Sequence, residues 1–269
     1  MKRIFSAAIA VWLAASASAE TTDLRRLESD NEAWPWRAVG RIDLGRNAIC
    51  SGTLIAPDLV LTAAHCLYKD GTKELFRPEE VLFRAGLRNG QTYRTQKAAA
   101  FVAHPNFNPV GPLNQRNITY DVGLIRLDQP IPSHEVAPFR LHQERIEPGP
   151  VSVVSYGRGR ANVQSRQDEC QLNAVRGDVL VFDCDVTFGS SGSPVFSHLN
   201  GRGQIISVIS GSSEGNSINR SVGMRLTDRV AELRRELRIG VAPPKAQVRR
   251  IQVGSGKRNT GAKFVRPGS

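Results

Sequence analysis

Apolar residues of this chain gather in short runs of strand length rather than at helical spacing. Between residues 37 and 226 these runs fall at 50–55, 59–61, 81–84, 122–127, 151–155, 179–182 and 205–209. They are rich in β-branched side chains and are separated by Gly, Pro, Asn and Asp, which supply turn geometries. The pattern predicts an all-β barrel or sandwich protein rather than an alternating β/α one. About 190 residues are enough for two compact β units sharing a cleft. One helix is predicted after them, capped by Thr227 or Asp228, with Val230, Leu233 and Leu237 on one face and Gly240 and Pro243 ending it. Arg229, Glu232, Arg235 and Glu236 fall on the opposite face, so the helix should dock by a single apolar stripe.

The two ends read differently from this middle. Lys2 and Arg3, an apolar stretch over 4–15 and Ala17-Ser18-Ala19 form a secretory signal peptide over residues 1–19, with cleavage leaving Glu20 first. The stretch is too short for a membrane span. Residues 240–269 carry Lys245, Arg249, Arg250, Lys257, Arg258, Lys263 and Arg266 with no acidic residue, and predict a basic disordered tail. Of the formal net charge of +11, two charges leave with the signal peptide and these seven sit in the tail, which leaves +2 on residues 20–239. The charge is therefore a property of the tail, not a nucleic-acid footprint of the folded part. Such a tail could hold the protein to an anionic envelope polymer or membrane surface by salt-sensitive attraction, or be a solvated, cleavable extension. A specific nucleic-acid partner is not expected, and no signal for an oligomer stands out, so a monomer is.

Export to a secreted or periplasmic location places four cysteines in an oxidising compartment, where two bridges are favoured over metal ligands or redox thiols. Proximity pairs Cys50 with Cys66 and Cys170 with Cys184, although four cysteines allow three connectivities. Neither pair has the C-x-x-C spacing of a zinc site, and no metal or cofactor is expected. Asn117-Ile118-Thr119 and Asn219-Arg220-Ser221 match the glycosylation sequon.

Three motifs carry chemistry: Leu61-Thr62-Ala63-Ala64-His65-Cys66, Asp121-Val122-Gly123-Leu124-Ile125 and Gly189-Ser190-Ser191-Gly192-Ser193-Pro194. A serine hydroxyl is a poor nucleophile at neutral pH. It needs an imidazole to take its proton and a carboxylate to orient that imidazole. On these motifs, in this order, the region 34–239 resembles a chymotrypsin-type (trypsin-like) serine peptidase, of the divergent bacterial sort that includes glutamyl endopeptidases. The resemblance implies two six-stranded antiparallel barrels, at about 34–130 and 131–226, with the site between them and a closing helix at about 227–239. It assigns His65 as general base, Asp121 as its orienting carboxylate and Ser191 as nucleophile, with the Gly189 and Ser191 amides forming the oxyanion hole. Protein or peptide substrates follow from the same resemblance. His104, His134, His142 and His198 lack a comparable setting and are expected on loops or the surface, and Asp128 in a turn.

Two departures bear on activation and specificity. Position 190 is Ser where trypsin has the aspartate that receives a freed N-terminal ammonium, and no Ile-Val-Gly-Gly start precedes Trp34-Pro35-Trp36. The oxyanion loop is then expected to be held by hydrogen bonds through Ser190 and by a Cys170–Cys184 bridge. Asp185, six residues before Ser191, stands where trypsin has its specificity aspartate and tilts the expectation toward Arg or Lys at P1. Were it turned away, small or apolar residues would be preferred. Thr187 and Ser210 complete the expected substrate-binding set. The rival reading is a catalytically silent homologue that binds through its basic tail.

Overall fold

The computed structural model describes residues 23–198, 203–213 and 220–240. The expected signal peptide, the residues beyond Gly240 expected to form a tail and the sequon asparagine Asn219 lie outside the described residues. Thirteen strands and three α-helices are described: β1 (Arg25–Arg26), α1 (Asp30–Ala33), β2 (Val39–Leu44), β3 (Ala48–Ala56), β4 (Leu59–Thr62), β5 (Val81–Ala85), β6 (Arg94–Ala103), α2 (Gln115–Thr119), β7 (Gly123–Leu127), β8 (Gly149–Ser155), β9 (Ser165–Arg176), β10 (Val179–Phe182), β11 (Pro194–Ser197), β12 (Gln204–Ser213), β13 (Arg220–Met224) and α3 (Thr227–Gly240).

Closure, not stacking, removes the sheet edges. The first barrel is closed in the order β2-β3-β4-β7-β6-β5, with β5 pairing back to β2. In the second, β8 pairs both β9 and β11, closing the order β8-β9-β10-β13-β12-β11. All of these pairings are antiparallel. The fold is therefore the expected pair of six-stranded barrels with a C-terminal helix. The second barrel also recruits residues 25–27, because β1 pairs with β9 and Leu27, just after it, is completely buried. Residues 23–33 are thus part of the folded body. The Ser29–Glu32 capping box starts α1 there, each residue satisfying an amide of the other.

Every strand-sized run in the sequence forms a strand, because each alternates onto a closed core. Ile42, Leu54, Val60, Phe83 and Ile125, which share one face by register, fill the first barrel, while Leu61 and Leu124 are buried on the other face. Val153, Leu180, Phe182, Val195 and Ile206 fill the second. Between the barrels Trp36 stacks on Phe139 at 5.9 Å and tilts against Phe196 at 5.2 Å, so one indole ties the chain's start to the inter-barrel connection and to β11. Full burial of one such side chain stabilises by about 1.5–3 kcal/mol.

Helix α3 docks by Val230, Leu233 and Leu237 as the stripe predicts. Its other face is less solvated than expected: Arg229 pairs with Asp178, and Glu232 accepts from His104 Nε2 at 2.9 Å. His104 and His142 are both loop residues, as expected, and both are buried. The Asn106 N–H donates to His104 Nδ1, which leaves Nε2 to carry the ring proton toward Glu232. Hydrogen bonds at both nitrogens make burial of that imidazole tolerable.

Candidate active site

Strand β4 ends at Thr62, and the chain tightens through the fully buried Ala63 and Ala64 into a single 3-10 turn, His65–Leu67. The Cys50–Cys66 disulfide ties this turn to β3. Small side chains before His65 let the backbone pack tightly while the imidazole keeps an exposed edge, its side chain being 33% accessible. Asp121 reaches it from the chain between α2 and β7 and is itself buried. Its Oδ1 accepts the His65 backbone N–H at 2.9 Å, and its Oδ2 lies 2.7 Å from His65 Nδ1.

A third donor reaches the same carboxylate: Ser210 Oγ on β12 donates to Asp121 Oδ2 at 2.5 Å. Burial of a carboxylate is expensive unless donors replace its water, and here three do. With Nδ1–H directed at Asp121, the neutral ring keeps Nε2 as an acceptor. Burial of the imidazole disfavours its charged form, but the Asp121 charge and hydrogen bond, with a smaller push from Asp70, outweigh it and raise the His65 pKa.

Ser191 lies on the loop between β10 and β11, which the Cys170–Cys184 disulfide anchors to β9. Gly192 has φ +76°, and a Cβ there would overlap Thr62 Oγ1 and the Ser51 carbonyl oxygen. Only glycine lets this loop of the second barrel press against β3 and β4 of the first. The loop is then fastened at several points. The Ser191 carbonyl accepts from the Ser51 N–H, the Gly192 N–H donates to Ile209 O, and the Gly189 carbonyl accepts from Ser51 Oγ, each at 2.8 Å.

Ser51 therefore joins the barrels at the loop, a role that sequence reasoning missed. Its only signal was its place beside Cys50 in a run with no other reason to bury a hydroxyl. The Phe188 carbonyl accepts from the Arg158 N–H at 2.8 Å, so the trans peptide that follows turns the Gly189 N–H the opposite way. Among the described residues neither the Gly189 nor the Ser191 N–H has an acceptor. Two unspent amides on one tight loop are what an oxyanion site requires.

Two cavities meet at Ser191. One, of about 530 Å³, is lined by His65, Tyr68, Asp70, Gly189 and Ser191 among others. The other, of about 480 Å³, is lined by Val186, Thr187, Ser191, Ile209, Ser210 and Ser212, with Arg158 and Phe188 at the boundary of both. The Arg158 guanidinium sits 4.4 Å from the centre of the Phe188 ring. Thr187 and Ser210 are brought to this second cavity, whereas Asp185 is not among the residues lining it. The Asp185 N–H donates to Gln167 Oε1.

The "Trypsin" family model matches residues 26–231. Serine protease 56 of Homo sapiens is 32% identical over 120 residues, 43% of this chain and 17% of that protein. Clotting factor C of Tachypleus tridentatus is 26% identical over 149 residues, 49% of this chain and 14% of that protein. The chain thus spans less than a fifth of the length of these relatives. Among solved structures, a Glu endopeptidase in complex with MPD superposes with TM-score 0.64 at 20% identity, over 81% of this chain and 98% of that one. A thermostable serine protease, AL20, from an extremophilic microorganism gives TM-score 0.61 at 17% identity, over 77% and 99%. These two share the fold. With the matched region running from β1 through both barrels into α3, the chain belongs to the trypsin family of serine proteases.

Proposed function

We propose that the protein is an exported serine endopeptidase that loses residues 1–19 and cleaves peptide bonds through an acyl-enzyme. The observation that carries this reading is the His65–Asp121 pair at 2.7 Å opening onto the same cavity as Ser191. Ser191 Oγ attacks the scissile carbonyl carbon while His65 Nε2 takes its proton. The resulting oxyanion is received by the Gly189 and Ser191 amides. Collapse of the tetrahedral species breaks the C–N bond, and the imidazolium returns its proton to the leaving amine. Water, deprotonated by the same nitrogen, then releases the acyl group as a carboxylic acid. Asp121 holds the proton on Nδ1 throughout and stabilises the imidazolium.

The cavity bounded by Val186, Thr187, Ile209 and Ser212 is the P1 site in this reading. Among the described residues no carboxylate lines it and Arg158 stands at its edge, which supports neutral rather than basic P1 residues. The test is hydrolysis of a peptide library by protein starting at Glu20 beside its Ser191→Ala variant. Cleavage abolished by the substitution, with Arg and Lys under-represented at P1, is expected. Cleavage that survives in the variant would place the nucleophile elsewhere.

A further inference from the structure

The loop that offers the two unspent amides is also pinned from within, by a hydroxyl at its centre. Ser190 is completely buried, and its Oγ donates to the Tyr156 carbonyl at 3.1 Å. The same oxygen accepts from the Thr187 N–H at 3.2 Å and from Arg160 Nη2 at 2.9 Å. Arg160 Nη1 donates to the Ser155 carbonyl, at the end of β8, at 2.8 Å. The guanidinium thus bridges the barrel wall and the loop with its rigid fork.

This cation is expensive to keep. Arg160 is 9% exposed, and burial pushes its pKa down to about 10. Asp185 opposes that shift and Arg26 reinforces it. Both of its bridging partners are neutral oxygens, so no carboxylate pairs with it directly among the described residues. A buried guanidinium held this way adds little net stability. Yet the surroundings are shaped for it: a Cβ on Gly157 would lie 2.9 Å from Arg160 Nη2 and 3.0 Å from its Cζ. Residues 25 and 26 do not enter this cluster. Their strand β1 runs along β9, and Arg26 reaches only the outer side of the same turn, at the Gly159 carbonyl.

We propose that Arg160 is a built-in positioning cation: by clamping Ser190 to the Ser155 carbonyl it holds the oxyanion loop competent without an ammonium group from the chain's N-terminus. The proposal rests on the peptidase reading above. It also accounts for Asp185, whose charge serves Arg160 rather than the P1 cavity. A hydrogen bond from a charged donor is about twice as strong as a neutral one, which suits a loop pinned through a neutral hydroxyl.

The test compares wild-type protein from Glu20 with Arg160→Ala, Arg160→Lys and Ser190→Ala, measuring kcat and KM on one peptide amide. Affinities are measured for a peptide aldehyde, whose adduct places an oxyanion at the loop, and for the same peptide with its scissile carbonyl reduced to methylene. Arg160→Ala should lower kcat by about 100-fold or more, as loss of an oxyanion donor does, with KM nearly unchanged. Aldehyde affinity should fall in parallel, the reduced peptide should bind as before, and guanidinium chloride below denaturing concentration should restore part of kcat. Arg160→Lys should be intermediate, and wild-type protein carrying an uncleavable N-terminal tag should keep its kcat.

Wild-type kcat in Arg160→Ala would overturn the proposal, as would equal loss of both affinities without rescue. If Arg160→Ala does not fold, Ser190→Ala decides: lowered kcat with KM retained supports the clamp, and wild-type kcat overturns it. Wild-type protein that hydrolyses nothing would overturn the peptidase reading, and the proposal with it.

Discussion

Asp121→Asn is the substitution whose consequence follows most closely from the geometry. Size and shape are conserved, so the amide oxygen can keep accepting the His65 backbone N–H, now 2.9 Å from Oδ1. The amide nitrogen then replaces Oδ2, which faces His65 Nδ1 at 2.7 Å and the Ser210 hydroxyl at 2.5 Å. That nitrogen can only donate. The hydroxyl can rotate to accept, but the imidazole must move its proton to Nε2, the atom needed as a base. A ring locked in the wrong tautomer costs on the order of 10⁴ in kcat, about 5–6 kcal/mol of transition-state stabilisation. A second signature comes from the proton affinity of His65. Without the Asp121 charge and hydrogen bond, the acid limb of kcat/KM should move down from its wild-type position above the ordinary histidine value of about 6.5. The assay is steady-state hydrolysis of a chromogenic peptide from pH 5 to 9, with circular dichroism to establish that the variant is folded. A folded variant within tenfold of wild-type kcat, or with an unmoved acid limb, would refute this account of Asp121.

In wild-type protein, kcat/KM should rise with pH through a single His65 ionisation above about 6.5, because the base must be neutral. The same raised pKa stabilises the fold in acid and ceases to do so as pH rises through it, so Asp121→Asn should lose more thermal stability at pH 5 than at pH 8. Gly192→Ala puts a side chain at φ +76° and into Thr62 and Ser51, and should cost about 2–4 kcal/mol, read as a lowered Tm. Ser51→Ala removes the donor to the Gly189 carbonyl and an acceptor for the Tyr156 N–H, and should lower kcat more than it raises KM. Replacing Cys50 and Cys66 by Ala and Val releases a crosslink over 16 residues, and should cost about 3 kcal/mol by denaturant unfolding.

The elements visible in the sequence are those whose burial is carried by large apolar residues. All seven apolar runs became strands, and the stripe of Val230, Leu233 and Leu237 became the docking face of α3. Hidden from the same reading was β9, which buries Ser165 and Gln167 where a strand signal expects Val or Ile. β6 was also hidden, since Ala98 is buried, Ala99 exposed and Ala100 half-buried, an alternation that identical small side chains do not reveal. β1 could not be seen at all, as two arginines become a strand only because β9 offers an edge.

The site divided along the same line. His65, Asp121 and Ser191 sit in compact local motifs, while Ser51 and Arg160 act across 138 and 30 residues of sequence through single hydroxyls. Asp185 was read from its distance to Ser191; it is not among the residues lining the second cavity, and its charge acts on the buried Arg160. Such pairings exist only once two barrels have closed.

The central claim is that Ser191 is an activated nucleophile. Protein from Glu20 and its Ser191→Ala variant would be treated with a fluorophosphonate probe, and the modified residue identified by mass spectrometry. The account predicts stoichiometric labelling at Ser191 with complete loss in the variant. Folded wild-type protein that stays unlabelled, or labelling that persists in the variant, would contradict it.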